Sequence, residues 1–162
     1  MDILEERNLT QMYRKINDIN IPVIPIDITF EELNNLFVLT ANMYAYVMDS
    51  VGRFEIAVRD AKRNKRRAFI MAYINAENIM SNQPHSLLKI IKQNEDVIIA
   101  DKALSNARNR LKVVEKKLKA LASLDEDINN LIDNYLKLKN IEHSLKSCRS
   151  QYELYKRDGM NF

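Results

Sequence analysis

Between Arg53 and Arg67 the chain carries seven basic residues (Arg53, Arg59, Lys62, Arg63, Lys65, Arg66, Arg67) against Glu55 and Asp60, a local balance of +5. The whole chain of 162 residues is only +3, so everything outside this segment sums to −2. At 100° per residue, Arg59, Lys62, Arg63, Arg66 and Arg67 fall within an arc of about 140° on a helical wheel. A dense positive face on a rigid element is the electrostatic footprint of a polyanion binder. Such a stripe suits a run of phosphates better than one anion. Charge runs are most often plain solvated faces, and here the density of cations and the scarcity of acids favour binding. Phe69 and Tyr73 follow Arg66 one turn apart, where aromatic rings can stack on unpaired bases.

Other chemistry is thinly represented. A single Cys148 excludes an internal disulfide, and two histidines, His85 and His143, cannot assemble a Cys/His metal set. No metal and no cofactor is expected. The sequence has no Gly-rich phosphate loop, no nucleophile elbow and no HExxH motif, so we expect a protein that is not an enzyme. It has no secretory signal and no apolar run near the roughly 20 residues of a membrane span. The expectation is a cytoplasmic protein without a membrane partner. A weaker basic set, Arg108, Lys112, Lys116 and Lys119, with Arg110 and Lys117 beside it, reads as a solvated face balanced by Glu115.

The elements that position these residues are helical. Gly occurs twice and Pro three times, too little turn chemistry for a sheet protein. Residues 1–28 are expected to hold a short N-terminal helix and an extended leader around Pro22 and Pro25. Residues 29–162 are expected to form one long helical coiled-coil domain. Thr29 and Glu32 have the spacing of a capping box, so a helix should start there and run over 29–81 as the basic helix. Its seam is Tyr44, Val47, Val51, Phe54, Val58, Ala61, Lys65, Ala68 and Ala72, a 3-4 repeat. Lys65 within the seam should either set register or snorkel to its edge. After a break at 81–85, with His85 as a loop residue, a second helix is expected over 86–122.

Its seam runs from Val97 through Leu104, Leu111, Val114 and Leu121 to Leu124, Ile128, Leu131, Tyr135 and Leu138. Two consecutive spacings of three at Leu121, with a second capping box at Ser123 to Glu126, leave two continuations: a third helix over 124–157 that folds back, or an unbroken rod. A reversal should bury Ile128, Leu131, Tyr135 and Leu138. The seam resumes through Ile141, Leu145, Cys148, Tyr152 and Tyr155, with Cys148 as a packing residue. The architecture expected is all-α, a long antiparallel helical hairpin of coiled-coil type.

The stretches ANMYAYVMDSVGRFEIAVRDAKRNKRRAFIMAY and NEDVIIADKALSNARNRLKVVEKKLKALASLDEDI together span roughly Ala41 to Ile128. In the second, Asp96, Val97, Ala100 and Leu104 carry the rhythm. This arrangement resembles phage recombination mediator proteins of the UvsY type. The resemblance implies a homo-oligomeric accessory protein in a bacterial host cell that binds single-stranded DNA. It implies as partners a RecA-like recombinase and a single-strand binding protein. It places DNA contacts late in the first long helix, where Arg63, Arg66 and Arg67 stand here. Residues 129–162 and the Pro-containing leader depart from that family. The rival expectation is a non-catalytic structural or scaffold protein, a virion component or assembly factor, that uses coiled-coil contacts.

Overall fold

The computed structural model describes residues 2–79 and 84–159. Among the described residues the regular structure is all helical, with no strands: α1 is Ile3–Asn17, α2 Phe30–Ile79, α3 Pro84–Gln93 and α4 Glu95–Gly159. Two helices dominate, α2 with 50 residues and α4 with 65. The chain divides into two compact units, Met1–Ile21 with Met43–Ala120, and Pro22–Asn42 with Leu121–Phe162.

The first unit packs α1, α3 and parts of α2 and α4. Its core holds Ile16, Val47, Phe54, Ala57, Ala72, Ala76, Ile91, Val97, Leu104 and Val114. Every member of the α2 seam is buried or half-buried here, as a 3-4 repeat on one face requires. Lys65 snorkels: its ammonium donates to Asp101 Oδ1 at 2.6 Å while the side chain stays 40% exposed. α1 is held by three aromatic contacts. Tyr13 meets Phe54 edge-on at 6.4 Å and 66°, the Arg110 guanidinium lies 5.4 Å from the Tyr13 ring, and Lys15 sits 4.8 Å over Tyr46. The Lys117 ammonium donates to the Ile19 carbonyl, tying down the chain just past α1.

The second unit contains the start of α2, which begins where the capping box requires. The Thr29 amide donates to Glu32 Oε2 and the Glu32 amide to Thr29 Oγ1, both at 3.2 Å. Leu33, Thr40, Leu121, Leu124 and Ile128 are its buried residues, and Phe30 stacks on Tyr135 at 4.3 Å and 12°. The Thr40 hydroxyl is fully buried and has no hydrogen-bond partner among the described residues. By contrast, the buried Ser50 hydroxyl of the first unit donates to the Tyr46 carbonyl at 2.7 Å. An unpaired buried hydroxyl costs more than the methyl that would replace it. Thr40→Val is therefore expected to stabilise the protein by about 1 kcal/mol, read as a higher urea midpoint at unchanged m-value; a lower midpoint would show that the hydroxyl has a partner.

The structure corrects several sequence expectations. The second helix does not run unbroken from 86. α3 already includes Pro84 and His85, and Asn94 separates it from α4. Asn94 Oδ1 accepts from the Asp96 amide at 2.9 Å and the Val97 amide at 3.3 Å, an N-cap followed by Glu95 and Asp96 in the first turn. The end of the basic helix at 80–81 lies outside the described residues. No third helix starts at 124, because α4 passes continuously through Ser123 to Gly159. Leu121, Leu124 and Ile128 are all buried at spacings of three and four, an ordinary helical stripe that no break is needed to accommodate. Only Ile128 of the four residues tied to a reversal is buried; Leu131, Tyr135 and Leu138 are 39%, 43% and 62% exposed. Cys148 is exposed rather than packed.

Candidate nucleic-acid interface

The stripe lies on α2 within the first unit, and its orientation follows from the seam. Burying Phe54, Ala57 and Ala72 turns the opposite face outward. Arg59, Lys62, Arg63, Arg66 and Arg67 are all exposed. Among the described residues none of the five takes part in an ion pair, since the only pairs are Lys65–Asp101 and Arg149–Glu153. Asp60, the one acid inside the segment Arg59–Arg67, is half-buried and lines a cleft with Glu6 and Ala57. The stripe thus presents five cations, none ion-paired among the described residues, along about 12 Å of helix axis. Cations held this way gain most by meeting phosphates, which release condensed counterions when neutralised.

Phe69 and Tyr73 continue from the stripe, 40% and 41% exposed. Both rings are anchored by the helix yet open to a ligand, which suits stacking on an unpaired base. Ile70 and Ile74 stand beside them, 49% and 46% exposed. Sequence reading passed over these two, although AFIMAYI is apolar on every helical face, and a helix of that kind normally finds cover on more than one side.

The later basic set splits in two. Arg108, Lys112, Lys116 and Lys119 are exposed. Arg110 and Lys117 are not free for a ligand, because they hold Tyr13 and the Ile19 carbonyl. Tyr44 is half-buried in the seam and Tyr46 receives Lys15, so neither ring is open in the way Phe69 and Tyr73 are.

The cleft between α1, α2 and α4 has a volume of about 370 Å³ and is lined by Glu6, Leu9, Phe54, Asp60, Asn64 and Arg110 among others. Two carboxylates face it, which disfavours an anion there. Among the described residues no three His, Cys, Asp or Glu side chains are grouped to hold a metal ion, and no helix is long and apolar enough to cross a membrane. No family model, no curated protein and no solved structure matches the chain.

Proposed function

We propose that the chain is a non-enzymatic, homo-oligomeric, single-stranded-DNA-binding accessory protein of the phage recombination mediator type, helping to load a RecA-like recombinase in a bacterial host cell. In this reading α2 and α4 form an antiparallel helical hairpin with an extended, Pro-containing leader. The Lys65–Asp101 pair and the cluster of Ala72, Ala76, Ile91 and Val97 support the hairpin within the first unit. The observation that carries the function is the stripe of five exposed cations on α2, unpaired among the described residues and ending at two half-exposed aromatic rings.

Long helices without a recognition motif offer no scheme for reading base edges, so binding is electrostatic and nearly independent of sequence. Single strands are preferred, because Phe69 and Tyr73 stack only on unpaired bases. The test compares a labelled poly-dT oligonucleotide with a duplex of equal length at one salt concentration. Tighter binding to poly-dT is expected, and no shift of poly-dT at micromolar protein would reject the reading. A specific observation keeps one rival in view: the apolar residues of α4 from Leu138 onward are open to solvent, as an assembly scaffold with coiled-coil partners would need. The same shift assay separates the two, since a scaffold has no use for poly-dT.

A further inference from the structure

Leu138, Ile141, Leu145, Cys148, Tyr152 and Tyr155 of α4 are spaced 3, 4, 3, 4 and 3 residues apart. That is the a/d repeat of three heptads, with Glu142, Arg149 and Lys156 at e and Lys137, Ser144, Gln151 and Asp158 at g. Among the described residues of the second unit nothing covers this seam. Leu138, Ile141, Leu145, Tyr152 and Tyr155 are 62%, 54%, 63%, 63% and 77% exposed, and Cys148 is exposed too. A contiguous apolar stripe of this length, about 30 Å of helix, marks an interaction surface.

We propose that the seam of α4 from Lys137 to Asp158 is covered by the same seam of a second copy, running antiparallel. The proposal deepens the self-association put forward above and rests on it. The spacing reads identically in both directions, so antiparallel pairing sets Leu138 against Tyr155 of the second copy, Ile141 against Tyr152 and Leu145 against Cys148, with no layer left open. The flanking charges choose this orientation. In an antiparallel pair e faces e and g faces g, which places Glu142 against Arg149 twice and Lys137 against Asp158 twice. Ser144 meets Gln151, and no two like charges face each other across e or g. In a parallel pair g faces the e of the following heptad. Lys137 then meets Glu142 twice, while Arg149 and Lys156 face the neutral Ser144 and Gln151. Four opposite-charge contacts per dimer stand against two. Arg149 is already near Glu153 of its own helix at 3.9 Å, with both side chains largely exposed, so it is free to turn toward a partner.

Cysteine pairing tests the orientation. In a Cys148→Ser background, the double variant Ile141→Cys with Tyr152→Cys is expected to form a disulfide-linked dimer under mild oxidation, and neither single variant is. Like positions in the two copies are offset by eleven residues, about 16 Å of rise, well beyond the roughly 7 Å Cα separation that a disulfide spans. Cross-linking of the single variants would overturn the antiparallel arrangement. A dimer by light scattering with no cross-link in the double variant would overturn this surface and leave self-association standing, whereas a wild-type monomer at micromolar concentration would overturn both. Circular dichroism confirms that the variants keep their helicity. As a second readout, Glu142→Arg is expected to weaken the dimer roughly tenfold, and Glu142→Arg with Arg149→Glu to recover most of it. An unchanged dimer in Glu142→Arg would contradict the charge register.

Discussion

Replacing Arg63, Arg66 and Arg67 together with alanine is expected to weaken binding of poly-dT about fiftyfold at 0.15 M salt. The magnitude follows from counterion release. Each neutralised phosphate contributes about 0.7 to the salt slope on single strands, so losing three contacts removes about two units of slope. At 0.15 M that is between one and two powers of ten in affinity. Helicity should be unchanged, because all three side chains are exposed and on the face of α2 away from Phe54 and Ala72. Alanine is also the best helix former, so the backbone gains slightly from the change. Fluorescence anisotropy gives the affinity and far-UV circular dichroism the control. An affinity within twofold of wild type would remove the stripe from the interface and turn attention to Arg108, Lys112, Lys116 and Lys119.

The second large effect concerns stability. Phe54 is 1% exposed and meets Tyr13 edge-on, and the Arg110 guanidinium lies 5.4 Å from the Tyr13 ring. Phe54→Ala removes a ring from the core of the first unit and the surface on which α1 rests. The expected loss is about 3–5 kcal/mol in urea unfolding, with α1 released before the remaining helices. Limited proteolysis should then cut near Ile19, where the chain is held by Lys117. A loss below about 1 kcal/mol would mean that the site collapses without leaving a cavity.

Local signals were legible and distant ones were not. The capping box of Thr29 and Glu32 is confined to four residues, and its hydrogen bonds form as the spacing demands. The α2 seam from Tyr44 to Ala72 could be read because a 3-4 repeat states which face is buried before the partner is known. Ser123 carries a similar capping pattern yet remains inside α4. A capping box only offers an end to a helix, and with no Gly or Pro nearby the backbone keeps its hydrogen bonds. Asn94 ends α3 and caps α4 in a stretch where the apolar rhythm continues on both sides. Its signal was present, as an Asn followed by Glu95 and Asp96, and the uninterrupted rhythm outweighed it. The roles of Arg110 and Lys117 had no local trace, since their partners Tyr13 and Ile19 are nearly a hundred residues away. The stripe itself was readable as charge density. That Asp60 is half-buried in a cleft, and that Lys65 is drawn to Asp101 of α4, emerged only from packing.

The most direct test of the account is the salt dependence of poly-dT binding by the wild-type protein. If four to five of the cations Arg59, Lys62, Arg63, Arg66 and Arg67 contact phosphates, log affinity should fall against log salt with a slope of about −3. A slope near zero, or no binding of poly-dT at low salt, would contradict the assignment of α2 as a nucleic-acid-binding helix.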